Sequence, residues 1–206
     1  MGARFPSPPP RPLSIVQALC PPCCGRVPYR WAGLAVSSQR FMQTTSKVHG
    51  EFHLLFVCTG NTCRSPMAEA IARRAVAELG WRGFQVRSAG TGAFDGDRIS
   101  GGALRAAAGH GIDLSSHAAT RFMHELGEWA DLVLVMSPSH LMRIAQLGGG
   151  QNAALITAFA GAGGEGDQGS VPDPIGGPDE EYVETWKALE HLIVDSLRRL
   201  EPVVAP

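Results

Sequence analysis

Phe52-His-Leu-Leu-Phe-Val57 is a short, nearly unbroken apolar run of the kind a buried strand requires. A polar turn follows, then Ser65-Pro66; proline suits the first position of a helix and serine caps one, so the pair predicts a helix with Ser65 as N-cap. Glu69 stands close behind, where an acid complements the positive helix end. Met67, Ile71, Ala75 and Leu79 recur on one helical face, and Gly80 stops the helix. Phe84-Gln-Val86-Arg-Ser88 reads as a second strand, and Gly90-Thr-Gly92 turns the chain. A helix fits Gly102 to Ala108, with Gly109 and Gly111 after it, and a shorter one fits Arg121–Glu128. Asp131-Leu-Val-Leu-Val-Met136 is the most strand-like run. Leu141 to Leu147 reads as helical, and Ala154-Leu-Ile-Thr157 as a fourth strand. A glycine-rich stretch, Gly161 to Gly169, leads to Asp173. The last helix spans about Asp179 to Leu200, with Tyr182, Trp186, Leu189, Ile193, Leu197 and Leu200 on one side and Asp179, Glu180 and Glu181 serving the dipole at its start.

Strands that alternate with helices imply parallel crossover connections. The expected fold is therefore α/β: three α/β/α layers around a four-stranded parallel sheet. Such sheets bind ligands beyond the carboxyl ends of their strands, which is where the turn 58–65 falls.

Composition narrows the picture. The chain has 206 residues, is 44% hydrophobic and carries a formal net charge of −1. No apolar run approaches the ~18 residues of a membrane span. There is no basic surplus, and only 7% of residues are aromatic, so a nucleic-acid partner is not expected. The charge is divided unevenly: six of the 18 basic residues and none of the 19 acidic ones lie in residues 1–50, where eight of the 15 prolines also precede residue 30. Two units follow, a Pro/Arg-rich leader at 1–50 and a folded domain at 51–206. The leader lacks helix or strand periodicity, and its proline runs deny backbone hydrogen bonds. It has the character of an organellar transit peptide, or else Met42 is the true start. Cys20, Cys23 and Cys24 fall in the leader, and Cys20-Pro-Pro-Cys23 has neither a strand before it nor a helix after it. Two cysteines in the domain make no disulfide scaffold, which points to a reducing, cytoplasmic setting, or an organellar one if the leader is a transit peptide.

The chemistry concentrates in Cys58-Thr59-Gly60-Asn61-Thr62-Cys63-Arg64-Ser65. A loop that curls into a helix N-terminus turns several backbone N–H groups inward and makes an anion cradle. Arg64 adds a planar fork that holds two phosphate oxygens together. Cys58, at the strand end, faces the cradle centre, and the donors that hold an anion also favour its thiolate. Phosphoryl transfer to sulfur needs a proton for the leaving group, and Asp173, before Pro174 at the end of the glycine-rich segment, is placed to deliver one. The competing structural roles are a packed cysteine and an ordinary Asp-Pro turn. No two histidines stand at metal-ligand spacing with an acid partner, so neither metal nor other cofactor is expected.

Val57-Cys-Thr-Gly-Asn-Thr-Cys-Arg-Ser-Pro-Met-Ala-Glu69 closely resembles the signature of the low-molecular-weight phosphotyrosine phosphatases. The likeness continues through Ser88-Ala-Gly-Thr91, Asp131–Met136 and Asp173-Pro-Ile-Gly-Gly177, covering roughly residues 52–200. The resemblance implies a phosphatase I-like fold and a phosphocysteine intermediate on Cys58. It also implies equatorial oxygens held by Arg64 and the amides of Thr59, Gly60, Asn61, Thr62, Cys63 and Arg64, with Asp173 as general acid and then base. Asn61, Ser65, Ser88 and His117 match the family's network that shapes the loop, and Ser65 also eases thiolate departure. Cys63 either packs or forms a disulfide with Cys58 under oxidation. The partners so implied are phosphorylated proteins, with phosphate ion bound at the site.

Thr62 and Ile175-Gly176-Gly177 stand where many tyrosine enzymes carry a bulky aliphatic residue and aromatic residues. Without aromatic walls a phenol ring has less to stack on, and a threonine hydroxyl suits a polar guanidinium instead; both departures resemble the bacterial protein arginine phosphatase branch, and Thr62 as a neutral variant in a phosphotyrosine enzyme is the other possibility. Two alternatives use the same loop. An arsenate reductase needs relay cysteines, and none follows Cys63. A catalytically silent phosphate-binding module does not explain why Cys58, Arg64 and Asp173 are all present.

Overall fold

The computed structural model describes residues 51–161 and 169–204. The expectations for residues 1–50 and for most of the glycine-rich stretch (162–168) lie outside the described residues. β1 (Phe52–Cys58), β2 (Phe84–Gly90), β3 (Leu132–Val135) and β4 (Ala153–Leu155) form one sheet in the order β2-β1-β3-β4. All three pairings are parallel, so every connection crosses over and brings the carboxyl ends to one edge.

Strand alternation divides the core in two. Leu54, Phe56, Val86, Leu132 and Leu134 face α1 (Arg64–Glu78), α2 (Gly101–Gly109), α5 (Ile156–Ala160) and α6 (Asp179–Val204), meeting Met67, Ile71, Trp186, Leu189 and Ile193. Leu55, Val57, Val133 and Val135 face the other way, toward α3 (His124–Trp129) and α4 (Pro138–Gln146), with Phe122 and Ile144. The result is the expected three-layer arrangement. No helix among the described residues is long and apolar enough to cross a membrane.

Several local expectations are corrected. α1 starts at Arg64 with Cys63 as its N-cap residue, and no side chain caps it. The Ser65 hydroxyl bonds inward to the loop instead, so Pro66 falls at the third helical position. Glu69 consequently lies in the second turn, where it accepts from Ser88 Oγ (2.6 Å) and pairs with Arg73 (2.6 Å) rather than serving the dipole. Leu79, placed on the buried face by spacing, is 54% exposed as the C-cap residue. α4 begins earlier than its apolar pattern suggested, because Pro138 opens it. The fourth strand ends at Leu155, not Thr157. β3 stops at Val135, the partner of Leu155, so no ladder continues beyond it. Ile156, Phe159 and Ala160 then bury themselves with helical spacing.

Candidate active site

The loop between β1 and α1 lies at the carboxyl edge of the sheet on its central strands. Cys58 ends β1 and is 3% exposed. Its sulfur receives the Asn61 backbone N–H at 3.3 Å and lies 3.0 Å from Ser65 Oγ. A loop amide is thus directed at the sulfur.

Asn61 holds the bend. It has φ +54°, a left-handed conformation that asparagine tolerates better than most residues, and it is fully buried. Its side-chain amide donates to Ser65 Oγ (2.9 Å) and Ser88 Oγ (2.8 Å), and its Oδ1 accepts the Thr120 N–H (2.8 Å). His117 Nε2 donates to the Asn61 carbonyl at 2.8 Å. Ser65 passes its own proton to the Ala89 carbonyl (3.2 Å). The structure thus brings Asn61, Ser65, Ser88 and His117 into one connected network, extended by Glu69 and the Thr120 amide. Asn61, Ser65 and Ser88 are buried and His117 and Glu69 partly so, while Thr120 lies at the surface.

A second segment braces the loop from outside. Thr91 N–H donates to the Cys58 carbonyl and Gly92 N–H to the Thr59 carbonyl, both at 2.9 Å. On the other flank Ser100 N–H donates to the Thr62 carbonyl (2.9 Å), and Cys63 Sγ donates to Ser100 Oγ (3.0 Å). Burial pushes the Cys63 thiol above its ordinary pKa, partly offset by its hydrogen bonds with Ser100, Thr62 and Tyr182. Cys58 and Cys63 are both free thiols.

Arg64, the first residue of α1, is 6% exposed and reaches toward the segment 171–173. Nη1 donates to the Val171 carbonyl (3.3 Å), and Nη2 pairs with the Asp173 carboxylate. Its Nε is buried with no hydrogen-bond partner among the described residues, an uncompensated donor. Asp173 has 40% of its side chain exposed and accepts the Ile175 N–H on its second oxygen (3.3 Å). Thr62 is half-buried, and Thr59, Ile175 and Asp173 border solvent. Sulfur, loop amides, guanidinium and a carboxylate are therefore assembled at one mouth, a set suited to displacement at a tetrahedral anion.

Residues 53–203 match the sequence profile described as low molecular weight phosphotyrosine protein phosphatase. The chain belongs to that family. It is a phosphoprotein phosphatase, a hydrolase. The protein-arginine-phosphatase of Bacillus subtilis (strain 168) is 37% identical over 148 residues, which cover 72% of this chain and 96% of that protein. A YwlE arginine phosphatase variant with a phosphorylated active-site serine superposes with a TM-score of 0.66 at 34% identity, over 73% of this chain and 96% of its own. The tyrosine phosphatase Wzb from Escherichia coli K30, in complex with sulphate, gives 0.62 at 31% identity, over 72% and 97%.

Sequence reasoning missed three members of the phosphatase's site region. His140 bonds Thr59 from 81 positions away, and Ser100 and Tyr182 flank Cys63 from 37 and more. Only Ser100, an N-cap type before a glycine pair, left a local signal; its hydroxyl accepts the Ala103 N–H at 3.3 Å.

Proposed function

We propose that this enzyme hydrolyses phosphoarginine on proteins in two steps through Cys58. The Cys58 thiolate attacks phosphorus and the P–N bond to the guanidine breaks, while Asp173 gives its proton to the departing nitrogen. Water then attacks the phosphocysteine. Asp173 takes the water proton, the S–P bond breaks, and inorganic phosphate leaves. Arg64 and the amides of Thr59, Gly60, Asn61, Thr62, Cys63 and Arg64 hold the three equatorial oxygens, with Arg64 Nε as one of the donors. Ser65 Oγ, 3.0 Å from the sulfur, turns its proton from the Ala89 carbonyl to the sulfur as its charge returns. The observation that carries the reading is the Asn61 N–H aimed at the Cys58 sulfur beneath a buried arginine that already touches a carboxylate. No step calls for a metal.

The preference for phosphoarginine rests on Thr62, whose half-buried hydroxyl suits a polar guanidinium, and on Ile175 at the place of an aromatic wall. Phosphotyrosine is the second reading, favoured by relatives such as the tyrosine phosphatase Wzb. Phosphorylated proteins are the partners, with phosphate ion at the loop. A reducing cytoplasmic setting suits an enzyme whose nucleophile is a thiol. Residues 51–206 form the catalytic unit in this reading, and 1–50 a separate leader.

A side-by-side assay on phosphoarginine and phosphotyrosine peptides without added metal tests the proposal. Higher kcat/KM on phosphoarginine, lost in Cys58→Ser while phosphate binding persists, is the expected result. Turnover unchanged by Cys58→Ser overturns the mechanism, and a preference for phosphotyrosine overturns the substrate assignment.

A further inference from the structure

Thr59, the residue after the nucleophile, is gripped at two points. Its carbonyl accepts the Gly92 N–H (2.9 Å), and its hydroxyl lies 2.8 Å from His140 Nε2. His140 sits near the start of α4 and is 4% exposed; its other ring nitrogen lies 2.8 Å from Ser137 Oγ, which in turn lies 2.8 Å from Ser139 Oγ. Both ring nitrogens are thus engaged by hydroxyls. A neutral imidazole has one donor and one acceptor, and either tautomer completes this chain because each hydroxyl can donate or accept.

We propose that His140 is a positioning residue of the phosphatase: by fixing the Thr59 hydroxyl it keeps the first amide of the loop aimed at the phosphoryl oxygens. The inference rests on the function proposed above, since it assigns His140 a part in holding the anion cradle. Two features favour imidazole here over a longer or charged group. Burial, and then the Arg64 charge, hold its pKa down to about 4, so the ring stays neutral and puts no second cation beside Arg64. Its two nitrogens also reach opposite sides, so α4 and the loop are joined through one rigid ring. The Thr59 side chain has no other hydrogen-bond partner among the described residues, and releasing it leaves the loop's first residue held by Gly92 alone.

A role confined to bracing α4 would need only the Ser137 contact at Nδ1, whereas positioning the loop needs the Thr59 contact at Nε2. Side-chain amides separate the two. Asparagine places its amide near the Nδ1 position, and glutamine reaches the Nε2 position. The experiment measures kcat and KM for an aryl phosphate, and Ki for inorganic phosphate, on the full chain and on His140→Gln, His140→Asn, His140→Ala, Thr59→Val and the His140→Ala/Thr59→Val double variant.

Glutamine is expected to stay within about threefold of the wild type. Asparagine, alanine and Thr59→Val should each lose about tenfold in kcat/KM, with Ki for phosphate rising in parallel, as one directional hydrogen bond predicts. The double variant should be no worse than the poorer single one, because both remove the same contact. Three results overturn the proposal: asparagine rescuing as well as glutamine, losses that multiply in the double variant, or a fall in thermal midpoint with Ki unchanged. If His140→Ala does not fold, glutamine, asparagine and the exposed Thr59→Val decide the matter. Loss of the function proposed above would show differently, as a wild type that does not hydrolyse the aryl phosphate or a Cys58→Ser variant that still does.

Discussion

Gly90 lies so close to the catalytic loop that a Cβ on it would stand 2.4 Å from the Thr59 carbonyl oxygen and 2.8 Å from the Asn61 nitrogen. Both neighbours are main chain, which cannot swing aside, and Gly90 is itself tied to Thr120 and Phe122 by its own N–H and carbonyl (2.9 and 2.8 Å). Side-chain absence at this position is therefore a condition for the loop's shape, quite apart from backbone torsion. Gly90→Ala should push the loop away from β2 and cost about 1–3 kcal/mol of stability through overpacking. Activity should fall by about 10²-fold, the penalty for a displacement of roughly 1 Å at a reacting centre. Denaturant midpoints and kcat/KM on an aryl phosphate check both, and near-normal kinetics would show that the loop has slack.

Thr62→Ile replaces a half-buried hydroxyl with aliphatic bulk at the mouth. A polar leaving group loses a partner and an aromatic one gains a surface, so the ratio of kcat/KM for phosphoarginine over phosphotyrosine peptides should drop about tenfold. An unaltered ratio would remove Thr62 from substrate choice while leaving the chemistry at Cys58 intact.

Asp173→Asn keeps a group that Arg64 can contact but cannot donate an acidic proton. kcat/KM, which reports the first phosphoryl transfer, should fall about 10²- to 10³-fold on substrates whose leaving group needs protonation, and far less on aryl phosphates with acidic phenols. Phosphate affinity should stay within a few-fold. Equal losses across leaving groups would assign Asp173 a binding role only.

His140 offers a pH test independent of catalysis. Its folded pKa is lowered from 6.5 to about 4. Between those values the unfolded chain takes up a proton that the folded one refuses, so stability falls as pH drops from 6.5 toward 4 and is fully present above. The two pKa values differ by about 2.5 units, or roughly 3 kcal/mol. His140→Gln should remove this part of the slope, seen by comparing denaturant midpoints of the two proteins at pH 7 and pH 4.5. Parallel slopes would mean the ring is not held neutral.

The strand, the loop and most of the first helix were legible because they sit within residues 52–78 and their types are set by local demands: apolar pleat, cysteine, arginine, serine-proline. What a residue bonds to was less legible. Ser65 before Pro66 has every local mark of a cap, yet it lies one residue inside the helix and its hydroxyl is directed to the sulfur and to Ala89. Glu69 looked like a dipole partner and is the acceptor for Ser88. Ala154–Thr157 carries strand-forming residues, but where it stops depends on the length of a neighbour 20 positions earlier. His140 carries no mark at all, because its partner is fixed only when the third crossover, from β3 to β4, brings α4 to the carboxyl edge of the sheet.

The position of β1 has a consequence for how the enzyme comes apart. It is flanked on both sides, by β2 along its whole length and by β3 through Leu54–Val57, while three-residue β4 hangs on the rim with one neighbour. Peripheral fraying, the lowest-energy opening available to such a sheet, would detach β4 and leave the strand that ends in Cys58 latched. Amide protons of β1 should then exchange only through global unfolding, and catalytic competence should outlast the loss of the outermost strand during gentle denaturation.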